Sequence, residues 1–223
     1  MIDLFDAEVL GIIALTMRMT LLSTAISTLL GVPLGLWLDR ARFPGKGLVV
    51  VINRTLMASP PVVVGLVVFM IFMRNGPLGF MGLLFTFEAM VIAQVILITP
   101  IICGIVYTAS RRNSEQIRVF AVTMGATKWQ TQGLLFKELS NEIFFAIIAG
   151  FGRAMSEVGA IMIVGGNIRH HTRTMTTSIS LLRNRGELEQ AILLGIVLMA
   201  IAFTVQMAAD FLRKRERRVD ENY

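Results

Sequence analysis

Apolar residues along this chain run in blocks of roughly 20, the length a helix needs to cross the hydrocarbon core of a bilayer, and charged residues gather between the blocks. Charge-free stretches lie at 19–38, 55–73, 89–110 and 190–209. The first begins earlier, near Val9, because Val9 to Leu15 is also apolar and Arg18 interrupts the run only once. A further block, 140–164, is apolar except for Arg153, Ser156 and Glu157 near its middle. The pattern predicts an all-α transmembrane chain, one domain over 1–223. About five membrane-spanning helices are expected, at 9–38, 48–73, 88–110, 140–164 and 189–212.

Within these spans Pro33, Pro60, Pro61 and Pro100 each remove a backbone donor and bend or interrupt a helix. Such helices persist where neighbours or cavity water satisfy the freed carbonyls. Gly31 and Gly35 share a face at four-residue spacing, as do the small residues around Gly150 and Ala154, which lets helices approach closely.

The polar connections set the direction of insertion, because basic residues concentrate on the cytoplasmic side. Arg40, Arg42 and Lys46 follow the first span; Arg111, Arg112, Arg118, Lys128 and Lys137 follow the third; Arg213, Lys214, Arg215, Arg217 and Arg218 follow the fifth. These segments are expected in the cytoplasm, with the carboxy terminus, and the amino terminus is expected outside. The first residues carry Asp3, Asp6 and Glu8 with no basic head, so a cleavable signal peptide is not expected and the first helix stays. One connection departs from the rule: 165–189 is assigned outside yet holds Arg169, Arg173, Arg183 and Arg185.

Composition agrees, with 55% hydrophobic and 16% charged residues, as in a polytopic membrane protein. The net charge of +6 would suit nucleic acid, but the cations sit between apolar blocks, so orientation in the lipid bilayer explains them and no nucleic-acid partner is expected. The basic run near the carboxy end reads as an anchor to anionic lipid. Cys103, the one cysteine, excludes an intrachain disulfide and reads as a small buried hydrophobe.

Between the third and fourth spans, 111–138 is too long for a tight connection and too apolar for a simple tail, and short helices on the cytoplasmic surface are expected there. At its centre Val119-Phe120-Ala121-Val122-Thr123-Met124-Gly125-Ala126-Thr127-Lys128-Trp129 resembles the coupling-loop motif of ABC importer permeases, Glu-Ala-Ala, three residues, then Gly. Ala121 and Gly125 occupy matching positions, and Ala126, Thr127 and Trp129 resemble the usual continuation. Val119 and Phe120 stand where Glu and Ala are usual, and Lys137-Glu138 replaces a Leu-Pro ending.

A second stretch narrows the resemblance. Gly150-Phe151-Gly152-Arg153-Ala154-Met155-Ser156-Glu157-Val158-Gly159-Ala160, with Val164-Gly165-Gly166-Asn167-Ile168 and the threonine-rich run from Thr172, is similar to the pattern of tungstate importer permeases. Molybdate and sulfate permeases usually carry a shorter Arg-x-x-Gly-Glu-Phe-Gly version. The resemblance runs from about Thr20 to Phe211 and implies a MetI-like permease fold. It also implies a homodimeric pathway in the cell (inner) membrane, two ABC ATPase subunits beneath the coupling loops and an external oxyanion-binding protein. No Gly-x-x-x-x-Gly-Lys-Ser/Thr loop occurs, so ATP is expected to be used by the partner ATPase, with no cofactor and no enzymatic chemistry on this chain.

The residues carry their own reading beside the resemblance. Arg153 and Glu157 are four apart, on one helical face where opposite charges pair, and an intramembrane charge normally faces a bundle or wet cavity. Two readings stand: a structural ion pair, or a pair with Ser156 at the translocation path or gate. Arg18 either faces that path or snorkels to the outer interface. Gly165, Gly166 and Asn167 suit a left-handed helix cap. Beyond it Arg169, His170, His171, Thr172, Arg173, Thr174, Thr176 and Thr177 form a donor-rich external loop suited to a tetrahedral dianion. The adjacent histidines lack a carboxylate or cysteine near in sequence, so no metal site is expected. A molybdate or sulfate permease and an ATP-independent secondary transporter remain the alternatives. The absence of an internal inverted repeat weighs against the latter.

Overall fold

The computed structural model describes residues 7–220; Asp3 and Asp6 lie outside these, as do the side chains of Arg118, Lys128, Arg213, Lys214, Arg215, Arg217 and Arg218. Nine α-helices are present among the described residues, with one 3-10 turn at Gly79–Met81 and no strand. They are α1 (Ala7–Arg40), α2 (Lys46–Met57), α3 (Pro61–Phe72), α4 (Phe87–Thr123), α5 (Lys128–Glu138), α6 (Ser140–Met155), α7 (Gly159–Gly165), α8 (Met175–Asn184) and α9 (Leu188–Asp220). The apolar parts of α1, α4 and α9 are each long enough to cross a bilayer alone.

The other two expected spans are bent pairs. The segment expected at 48–73 is α2 and α3, which meet at 102°. Pro60 ends the turn in extended conformation and Pro61 opens α3, where a missing N–H costs nothing. The segment expected at 140–164 is α6 and α7, bent by 57°. By contrast Pro33 and Pro100 stay inside continuous helices.

The centre of the bundle is α4, against which α1, α2, α3, α6 and α7 all pack. Ile98, Ile102 and Val106 on α4 are buried with Val32 of α1 and Ala146 and Ala154 of α6. Small residues set the spacing, as van der Waals packing in lipid requires. A Cβ on Gly35 would lie 2.7 Å from the Cys103 carbonyl oxygen, and one on Gly150 would lie 2.9 Å from Ile98.

With 37 residues, α4 is about 55 Å long, against a hydrocarbon core of about 30 Å. Its charge-free stretch ends at Ser110, before Arg111 and Arg112, so the turns up to Thr123 project past the membrane. The stretch 111–138 is therefore not a set of short surface helices: its first half prolongs α4 and its second half is α5. Leu135 of α5 and Leu139 at its C-cap are buried against the core, with Ile117 of α4 packed beside them. In the tight turn between the helices Gly125 takes φ +74°, the Ala126 N–H donates to the Ala121 carbonyl at 2.9 Å, and Thr127 caps α5 reciprocally with Gln130.

On the opposite end, the segment expected as an external loop contains α8. Met175 of α8 is buried with Val9 of α1 and Leu194 of α9, and Ile12, Ile179 and Leu182 pack around them.

Candidate functional site

Glu157 lies in the break between α6 and α7 and is 3% exposed. Its carboxylate holds two groups together: Oε1 accepts the Ala160 N–H at 3.0 Å, and Oε2 pairs with Nη1 of Arg153 at 2.9 Å. Burial of an unpaired carboxylate would be prohibitive, whereas here a cation and a helix N-terminal amide share the charge. The helix stops at Met155, so the four-residue pair closes across the break and not along a continuous helical face. Arg153 keeps about a third of its side chain open, and Ser156 beside it is exposed. The other bent pair lies close by: Gly65 of α3 faces Ala160 of α7, where an added Cβ would come within 2.6 Å of the Ala160 Cα.

Gln94, Ser23 and Thr16, which the sequence did not single out, complete this polar layer together with Thr176. Gln94 of α4 donates to the Ala154 carbonyl at 2.9 Å and accepts the Ser23 hydroxyl of α1. Thr176 of α8 donates to the Glu157 carbonyl at 2.8 Å, and Thr16 of α1 accepts the Met175 N–H at 3.0 Å. The signal available beforehand was Gln94 itself, an amide inside a charge-free span whose groups demand partners in lipid.

The donor-rich segment expected on the external side folds back onto the bundle. Thr172 gives its hydroxyl to the Gly165 carbonyl, and Thr174 and Thr177 cap α8 reciprocally. Thr172, Thr174, Thr176 and Thr177 are all buried, so donors expected to meet an anion are committed to protein acceptors. Arg169 and Arg173 both reach Glu8 at the start of α1, Arg169 through Nε at 2.9 Å and through a second, shorter contact, Arg173 through Nη1 at 3.5 Å. Their charges thus fasten α1 to the α7–α8 connection. Gly166 caps α7 at φ +69° against the Phe85 ring, and Asn167 follows at φ +51°. Arg18 lies on the exposed side of α1 and lines, with Glu8, His170 and Arg173, a cavity of about 300 Å³. Among the described residues no group of three or more His, Cys, Asp or Glu is placed to hold a metal.

At the far end, the α4–α5 hairpin carries an uncovered apolar tip. Val119, Phe120, Val122, Met124 and Trp129 are exposed, Trp129 by 86%, while Ala121 is buried beneath the turn. Exposed apolar side chains on α9, among them Ile196, Met199 and Phe203, belong to a helix long enough to face lipid, but the hairpin tip lies beyond the charge-free stretch of α4.

Residues 31–218 match the family described as binding-protein-dependent transport system inner membrane component. The chain is 43% identical over 201 residues to the tungstate uptake system permease protein TupB of Peptoclostridium acidaminophilum, covering 90% of this chain and 88% of that one. It is 36% identical over 218 residues to a probable anion ABC transporter permease protein of Haloferax volcanii, covering 96% and 94%. With TupB of Campylobacter jejuni the identity is 32% over 215 residues, 95% and 89% of the two chains. A match of this extent makes the protein a multi-pass component of the inner membrane that takes part in transport and is not an enzyme. The chain belongs to the binding-protein-dependent transport system inner membrane components, the permeases of ABC importers.

Proposed function

We propose that two copies of this permease form the translocation path of an importer for a tetrahedral oxyanion, tungstate. The observation that carries the reading is the 43% identity to a tungstate uptake permease over 90% of the chain. An external binding protein delivers the anion, and two ATPase subunits dock on the hairpin tips around Gly125, Ala126, Thr127 and Trp129 and hydrolyse the ATP. The amino terminus lies outside and the carboxy terminus in the cytoplasm. Arg153 presents the open part of its guanidinium to the path beside Ser156, held there by Glu157. In this reading Arg18, Gly165, Gly166, Asn167, Arg173 and Thr176 shape the outer end, Arg173 and Thr176 by fixing helices and not by binding the anion.

Motion of the hairpin reaches the path through α4, since the hairpin and the Gln94 contact to Ala154 belong to one continuous helix. A rigid lever of that kind needs no separate relay. The test is uptake into vesicles that contain the permease with its ATPase and binding protein. ATP-dependent tungstate accumulation, competed weakly by molybdate and sulfate, is expected. Preferential sulfate or molybdate uptake would reassign the substrate, and accumulation without ATP would overturn the coupling.

A further inference from the structure

Between Glu8 and Asp39, Arg18 is the only charged residue of α1. It is exposed, and it makes no ion pair or hydrogen bond among the described residues. A charge on an apolar helix face is costly until an anion or water reaches it. Beside it lies the cavity of about 300 Å³ between α1 and the α7–α8 connection. The α1 wall of that cavity is one stripe, Gly11, Ala14, Leu15 and Arg18, at three- and four-residue spacing. The same stripe runs on as the exposed Leu21, Leu22, Ala25 and Leu29.

His170 and Arg173 stand on the facing wall. Among the described residues Glu8 is the only carboxylate that lines the cavity, and Arg169 and Arg173 already engage it. Arg173 reaches Glu8 at 3.5 Å and leaves its own Nε buried with no acceptor. The mouth is therefore short of negative charge. Its level in the bilayer follows from α1. The charge-free stretch 19–38 is about 20 residues, or about 30 Å, the thickness of the hydrocarbon core. With Asp39 and Arg40 at one edge of that core, Arg18 stands at the other, among lipid headgroups.

We infer that this cavity holds the phosphate of an anionic phospholipid of the phosphatidylglycerol type. The phosphate lies between Arg18 and Arg173 beside the His170 imidazole, and the acyl chains run down the stripe from Leu21 to Leu29. A headgroup ammonium finds no free carboxylate there, because Glu8 is taken. A free oxyanion shares the phosphate chemistry but gains nothing from the apolar stripe. The inference is independent of which anion the transporter carries.

The experiment is native mass spectrometry of the intact transporter in mild detergent, titrated with phosphatidylglycerol or phosphatidylethanolamine. One tightly held phosphatidylglycerol per permease chain is expected, with at least tenfold preference over phosphatidylethanolamine. Arg18→Gln keeps an exposed polar side chain and should lower that retention at least tenfold. Arg74→Gln, which removes an exposed cation outside the cavity, should leave it unchanged. His170→Gly suits the φ of +62° at that position and should lower retention severalfold, and it serves as the test if Arg18→Gln does not assemble. Equal retention of the two lipids by the natural chain, unchanged retention by either cavity variant, or an equal loss in Arg74→Gln would overturn the inference. So would displacement of the lipid by millimolar tungstate or phosphate, or crosslinking of an Arg18→Cys chain to a second copy or to the binding protein, which would put protein and not lipid over the cavity.

Discussion

The hydroxyl of Thr176 donates to the main-chain carbonyl of Glu157 over 2.8 Å, joining α8 to the break between α6 and α7. That carbonyl lies where the helical ladder is interrupted, and the threonine supplies a donor that α7 does not. Since α8 also packs on α9 and donates its Met175 N–H to Thr16 of α1, this bond ties the break to two further helices.

Thr176→Val keeps the shape and removes the donor. Leaving a buried carbonyl unsatisfied costs about 1–3 kcal/mol, so the unfolding temperature of the purified permease should fall and uptake with it. Thr176→Ser retains the hydroxyl and should behave close to the natural chain. Equal loss in both variants would indicate that methyl packing, not the hydrogen bond, matters at this position.

Removing the Glu157 side chain does two kinds of damage. Glu157→Ala leaves the Arg153 guanidinium without its partner and the Ala160 N–H without its acceptor, and breaking a buried pair on one side costs about 3–5 kcal/mol. Part of the Arg153 side chain reaches solvent, which places the expectation at the lower end of that range. Glu157→Gln keeps an acceptor for Ala160 and should be milder in stability. A double change with Arg153→Ala should recover part of the loss, as a thermal unfolding cycle would reveal. If Glu157→Gln folds normally and transports at the natural rate, the pair is structural and takes no part at the gate.

The two helix breaks illustrate unequal legibility. Pro60 and Pro61 announce the first, because two adjacent residues without N–H groups resist continuation of a helix. Nothing of that kind marks the second: 140–164 reads as one span, apolar except for Arg153, Ser156 and Glu157, and the break depends on Glu157 finding Arg153 on one side and an amide on the other. The pairing of Arg153 with Glu157 follows from spacing, but its closing across a break does not. Similarly α8 is capped by Thr174 and Thr177, whereas the familiar sequence signal has Glu or Gln at the second position. Its threonines therefore resemble loop donors until the burial of Met175 shows the segment folded inward. Glu8 is the acid that accounts for Arg169 and Arg173, and 161 residues separate it from Arg169, so no local pattern joins them.

Crossing of the bent pairs depends on one missing side chain. A Cβ on Gly65 would come 2.6 Å from the Ala160 Cα, a main-chain atom that has no rotamer to yield with. Gly65→Ala should therefore push α3 from α7, at about 1–3 kcal/mol for the overpacking, with lower yield and lower uptake. Gly47→Ala is the matched control: it is also helical but meets nothing within 4 Å, and it should be neutral or stabilise by up to about 1 kcal/mol. Equal behaviour of the two variants in thermal unfolding would exclude close packing as the reason for Gly65.

The hairpin tip separates a docking role from a folding role most directly. Trp129 is 86% exposed and Met124 71%, and neither is covered by this chain. Trp129→Ala removes little that the fold uses, so stability should stay within about 0.5 kcal/mol. A buried tryptophan at the centre of an interface is often worth about 2 kcal/mol or more. Binding of the ATPase subunit to the permease should accordingly weaken by at least tenfold, with uptake falling in parallel. Gly125→Ala provides the contrasting case. Its φ of +74° strains an L residue, which costs about 1–2 kcal/mol and re-aims the tip without deleting a contact. Co-purification of the ATPase with each variant, scored beside thermal unfolding, distinguishes the two effects. Full ATPase binding by a folded Trp129→Ala chain would mean that the partner grips the permease elsewhere, and that α4 is not its lever.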